Sequence, residues 1–156
     1  MRITSLSFAR LAFLVIAACW AVDSQAGAQI VQIRPVADVP SSTTQALTLI
    51  QGSATKTIHV EGTVLFDDTG IRSASAVDVK GTPELIIQLT DEGSRRFAEI
   101  GSKYDGRRVA FVINGRLVSA PSVKAPIGGG GTNIRCDGFS MEEVTKLATR
   151  LNAHAK

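Results

Sequence analysis

The chain is poor in the residues that usually carry chemistry. Among its 156 residues are two histidines, two cysteines, one tryptophan and one tyrosine, and aromatics make up 5%. Cys19 lies in a segment expected to be removed or acylated, so Cys136 has no intramolecular partner and no disulfide framework forms. One cysteine with two isolated histidines, His59 and His154, makes no zinc pattern. Aromatics this sparse do not build base-stacking platforms. Excess charge is also scarce. The formal net charge is +3, and without residues 1–28 (Arg2, Arg10, Asp23) 15 basic residues face 13 acidic ones, or +2. The two signs are interspersed, which gives no basis for nucleic-acid binding.

Catalytic patterns are missing as well. There is no Gly-x-Ser-x-Gly elbow, and Ser119 has no base partner by sequence. Asp67-Asp68 sit in a turn with Gly70, where adjacent carboxylates are expected to be solvated turn builders. The Gly128–Gly131 run leads into a strand pattern, Thr132-Asn133-Ile134. A phosphate loop leads into a helix N-terminus, so backbone freedom is the expected use here. Arg107-Arg108 reads as a solvated strand rim, His59 as a strand residue and Cys136 as a small buried hydrophobe. No catalytic, metal-binding or cofactor-binding residue is assigned, and a non-enzyme is expected.

What is present begins with one apolar run, Leu11 to Val22, between Arg2/Arg10 and the small residues that follow. It is shorter than the roughly 20 residues that span a bilayer and reads as a secretory signal over residues 1–28. Two processing sites compete. Ala26-Gly27-Ala28 before Gln29 suits ordinary signal peptidase and is preferred. Ile16-Ala17-Ala18-Cys19 resembles a lipobox and makes Cys19 the candidate lipidation site. Export to the periplasm follows from either, with membrane contact only through a lipid anchor at Cys19.

The remainder patterns as α+β. Ile30–Val36 alternates, and Pro40–Thr44 is a polar connector. Ala46–Ile50 and Thr57–Val60 read as a hairpin around Gln51–Ala54. A second hairpin spans the strand ending at Val79, a turn at Gly81-Thr82-Pro83, and Glu84–Leu89. Thr90 or Asp91 caps a helix running to about Lys103, with Phe97 and Ile100 inward and a stop at Tyr104-Asp105-Gly106. Val109–Ile113 is apolar on both faces, as in a central strand, and Asn114-Gly115 is the favoured two-residue hairpin turn. Pro121 and Pro126 mark an edge or loop. Thr132–Cys136 is a last strand. Ser140 and Glu143 form a capping box before Val144, Leu147, Ala148 and Leu151 on one helical face. The expected fold is an antiparallel-rich sheet with both helices on one face.

Three ordered blocks within residues 58 to 153 carry a resemblance. They are Thr90-Asp91-Glu92-Gly93 with Phe97, then Gly106-Arg107-Arg108 through Asn114-Gly115 to Val118-Ser119-Ala120-Pro121, and Phe139-Ser140-Met141-Glu142-Glu143. In that order they resemble the head subdomain of the SecD periplasmic domain. Asn133–Gly138 departs from the family by extra residues, and a bulge is expected there. The resemblance implies residues 29–57 as an N-terminal strand and linker, and 58–156 as a SecD head-like α+β domain. It implies a layered fold and a role in protein export, with unfolded polypeptide or another envelope protein as partner. No residue is assigned to polypeptide binding. The chain has no further apolar run of spanning length, so energy coupling through a membrane is not expected of it. The alternatives are a small envelope hydrolase or ligand-binding protein on the same scaffold, or a structural lipoprotein.

Overall fold

The computed structural model describes residues 29–127 and 129–155. The expected signal segment, with Cys19, lies outside the described residues. In chain order the strands are β1 (Val31–Pro35), β2 (Thr44–Gln51), β3 (Ala54–Glu61), β4 (Phe66–Asp67), β5 (Ile71–Val79) and β6 (Thr82–Leu89). Then come helix α1 (Asp91–Lys103), strands β7 (Val109–Ile113), β8 (Arg116–Ser119) and β9 (Gly131–Arg135), and helix α2 (Met141–His154).

The apolar run Val109–Ile113 organises the molecule. β7 pairs antiparallel with β1, from Val31↔Ile113 to Pro35↔Val109. It returns into β8 through Asn114 and Gly115, whose φ values of 48° and 77° are those a type I′ turn demands. With β4 beyond β1, the order is β4-β1-β7-β8. Both faces of this sheet are covered, which is why β7 shows no polar alternation. Val109 and Ile113, with Val31 and Ile33, join the larger core, while Ala110 and Val112 join a smaller one.

A second sheet, β5-β6-β9, supports the larger core. Its inner face presents Leu85, Ile87 and Leu89 from β6 and Ile134 from β9, while Glu84, Ile86 and Gln88 face the other way. The β5–β6 turn falls at Lys80-Gly81, with φ of 54° and 83°, so Thr82 and Pro83 already belong to β6. Pro83 is tolerated because its missing N–H falls on the last rung, where its carbonyl accepts from the Cys136 amide at 2.9 Å.

Both helices pack on this core. Thr90 accepts from the Gly93 amide at 2.9 Å and starts α1, which buries Phe97 and Ile100. Ser140 and Glu143 close the expected capping box, with bonds of 3.2 and 2.7 Å. Behind it α2 buries Val144, Leu147, Ala148 and Leu151. The α+β class, with antiparallel strands and two helices, is the one expected. Its strands are distributed over three sheets, because β2 and β3 form a separate ribbon laid on the far side of β7.

That ribbon places Leu49, Ile58 and Val60 over Ala110, Val112 and Leu117. Its register is continuous from Thr44↔Glu61 to Gln51↔Ala54, and residues 57 and 58 both lie within β3. The bulge expected near Asn133 is corrected. β9 pairs with β6 without a break from Gly131↔Gln88 to Arg135↔Glu84. The extra residues there form a turn at Asp137-Gly138, with Gly138 at φ 82°. Irregularities occur between Ile71 and Ser73 and between Phe111 and Val112.

Asp67 and Asp68 are bound into the fold rather than solvated. The Asp68 carboxylate accepts from the amides of Ile30 and Val31 at 2.7 and 2.6 Å, which anchors the start of β1. Asp67 caps the short 3-10 turn over Asp68–Gly70 through the Thr69 amide and hydroxyl. Burial alone would raise its carboxyl pKa. The Thr69 bonds and the Arg96 guanidinium at 3.4 Å outweigh that and hold it below the usual carboxylate range.

Candidate functional site

An apolar space lies open between α1, the helix-side face of β7 and the loop after β8. A cavity of about 280 Å³ is lined by Phe97, Ile100, Phe111, Pro121, Val123 and Ile127, among others. Local chemistry holds its outer wall. The Val123 amide donates to the Arg107 carbonyl at 2.8 Å, and the Ala125 amide donates to the Asp105 carboxylate at 3.0 Å. Gly101 lets the loop lie close to α1, since a Cβ there would meet Ile127 at 3.0 Å. Pro121, expected in an edge or loop, thus helps to build a wall.

Phe111 and Pro121 also line a second, more polar cleft of about 480 Å³, so the two cavities form one groove. This cleft runs between the end of β8 (Ser119, Ala120) and β9 (Thr132–Arg135), with Lys56 and Arg108 on its walls. β9 is the last strand of its sheet. Gly130 and Cys136 hydrogen-bond to Leu89 and Pro83, and bonded rungs alternate in an antiparallel pair. The backbone groups of Gly131, Asn133 and Arg135 therefore point away from β6, towards the cleft.

The opposite edge of that sheet is covered in part. Asn152 of α2 accepts from the Ala74 amide at 2.8 Å and donates to the Ala74 carbonyl at 2.9 Å, occupying the outward groups of that residue of β5. A side chain bonded there obstructs the addition of another strand at that point. The β8 continuation is partly covered too, since Arg108 Nε donates to the Ala120 carbonyl at 3.1 Å. β9 is thus the uncovered edge of the groove.

The groove holds no acid–base or metal-binding set. Among the described residues, neither cavity is lined by a carboxylate, histidine or cysteine. No group of three such side chains stands close enough to hold a metal ion. Ser119 lines the cleft without a base beside it there. Half-buried His59 is a strand residue paired with Ala46. Cys136 is fully buried, and burial pushes its thiol up to about 11, so it stays protonated and inert at neutral pH. Gly131 permits β9 to approach β6, because a Cβ would stand 2.6 Å from the Ile87 carbonyl oxygen. A broader depression of about 540 Å³ beside Asp38 contains Glu61 and Arg107, which pair with each other at 3.9 Å. Sequence reading had no signal for the groove, whose walls come from segments distant in the chain.

The family model of the SecDF P1 head subdomain matches residues 42–155, nearly three quarters of the chain. The chain belongs to the SecDF P1 head family. Among similar proteins, the translocase subunit SecD of Treponema pallidum is 41% identical over 71 residues, covering 46% of this chain and 12% of that protein. SecD of Dictyoglomus turgidum is 33% identical over 108 residues, covering 69% and 23%. The P1 head chain thus spans less than a quarter of the length of these relatives. Two solved structures share its fold. A SecDF described as a membrane component that enhances protein export aligns at TM-score 0.60 with 24% identity, covering 81% of this chain and 64% of that one. SecDF in a super-membrane-facing form aligns at 0.59 with 23% identity, covering 81% and 19%. Among the described residues no helix is long and apolar enough to cross a membrane.

Proposed function

We propose that this P1 head is an exported, non-catalytic module that binds polypeptide in the cell envelope and serves protein export. The observation that carries the reading is the groove: an apolar cavity that shares Phe111 and Pro121 with a cleft along an uncovered strand edge. Unfolded chains offer two things that folded proteins hide, apolar side chains and unpaired backbone groups. A cavity beside an open edge answers both, through burial and through strand addition. Membership of the SecDF P1 head family supports a position outside the cytoplasm, and the apolar run within residues 1–28 supports reading them as the export signal. The mature chain then begins at Gln29, or at acylated Cys19, and intact mass of the natively produced protein distinguishes the two.

Binding is tested by titrating the labelled chain with reduced, unfolded model polypeptides. A small exposed groove holds clients reversibly, at about micromolar affinity, or roughly −8 kcal/mol. Ile127→Asp, which places a charge in the cavity wall, should abolish binding, with circular dichroism at the titration temperature showing that the variant remains folded. Absence of saturable binding by any unfolded chain overturns the reading.

A further inference from the structure

We propose that the groove selects extended segments in which an apolar side chain is flanked by carboxylates. This rests on the polypeptide-binding reading and adds a preference among clients. The apolar part of the groove takes the uncharged side chain. Its surroundings are cationic throughout, with Lys56, Arg108 and Arg135 in the cleft and Lys124 on the cavity, and no Asp or Glu lines either part.

That concentration is local, because outside residues 1–28 the chain carries only two more basic than acidic residues. Several charges elsewhere answer one another, as in Arg95 with Glu92, Lys146 with Glu142 and Arg116 with Glu143. In the cleft Arg135 is engaged by Asp137 at 3.1 Å. Arg108 uses Nε on the Ala120 carbonyl, and among the described residues neither it nor Lys56 has a carboxylate within ion-pair distance. Two cations left without counter-charge beside an open strand edge favour an incoming chain that carries carboxylates. They disfavour one that carries lysine or arginine.

The test uses the full chain and three labelled peptides that share one apolar centre, with flanks of aspartate and glutamate, of serine and glycine, or of lysine. At low salt the affinity order should be acidic, neutral, basic, with about tenfold between the first and last, as a few exposed ion pairs allow. The gap should shrink towards unity in 0.5 M salt. It should also shrink in Lys56→Glu, whose exposed position in β3 leaves the fold untouched, and in Arg108→Gln. Lys146→Ala, on the outer face of α2, should leave the order unchanged. Equal affinities at low salt, or tighter binding of the basic peptide, overturn the charge preference while polypeptide binding stands. No saturable binding of any of the three overturns both.

Discussion

The two faces of the β4-β1-β7-β8 sheet are protected very differently. On one side β7 joins a core of 22 buried residues, among those described, drawn from its own sheet, both helices and the second sheet. On the other it joins a core of seven, most of them supplied by or facing the two-stranded β2–β3 ribbon. The helix side is crossed by packing from several elements, so losing one leaves the rest in place. The ribbon rests on one row of side chains, and isolated two-stranded ribbons are marginal in water. Local opening energies should follow this asymmetry. The apolar part of the groove lies on the well-supported side, where α1 and the 121–127 loop keep its wall from collapsing, while Leu49, Gln51 and Lys56 of the ribbon line the polar cleft.

The largest test of this comparison is Phe97→Ala. Phe97 is 5% exposed and packs edge-on against Phe66 at a centroid distance of 5.9 Å. Truncation opens a cavity in the larger core and should cost about 3–5 kcal/mol by denaturant unfolding. A midpoint equal to the parent's would show that the helix side does not dominate stability.

Asp68→Ala should come next. It leaves the amides of Ile30 and Val31 without their acceptor at the entry to β1, a loss of about 1–3 kcal/mol. Asn, which keeps one acceptor oxygen, should recover part of the loss; no recovery would mean that charge, not hydrogen bonding, holds β1.

On the thin side, Ile58→Val should cost only about 0.5–1.5 kcal/mol. Amides of β2 and β3 should exchange with solvent before those of β6 and β7. Equal protection would make the ribbon an integral part of one cooperative core.

The smallest effect is on pH dependence. The Asp67 carboxyl is held below its unfolded value by Thr69 and Arg96. Its contribution is therefore full above the ordinary carboxylate range, near pH 4, and fades as pH falls through the lower folded value. Asp67→Asn should flatten the decline of melting temperature below about pH 4. An unchanged slope would show that other carboxylates carry it.

Much of the fold was legible because its signals are local. The Ser140/Glu143 box, the Asn114-Gly115 turn and the apolar faces of both helices each rest on contacts within a few residues. The division of strands into three sheets was not legible. An apolar strand such as β7 announces that both faces are covered without saying that a ribbon covers one of them. The missed role of Asp68 has a similar cause, since its partners lie 37 and 38 residues away. The groove drew no signal either, because Phe97, Phe111 and Ile127 belong to three separate segments.

Gly93 shows where the division falls. By itself the sequence determined that Thr90-Asp91-Glu92 begins a helix, because the cap and the first-turn acids act on amides next to them in the chain. Why the following residue is glycine was decided only in three dimensions. A Cβ on Gly93 would overlap the backbone of Gly70, standing 2.9 Å from its Cα, and one on Gly70 would strike the Phe66 ring at 2.6 Å. The edges divide in the same way. Local residue pattern was enough to make β5 and β9 strands, but only packing decided that Asn152 bonds Ala74 at one edge while the other stays open. Hydrogen bonds between neighbours can be read along a chain, whereas close approach between distant segments exists only once the whole core has condensed.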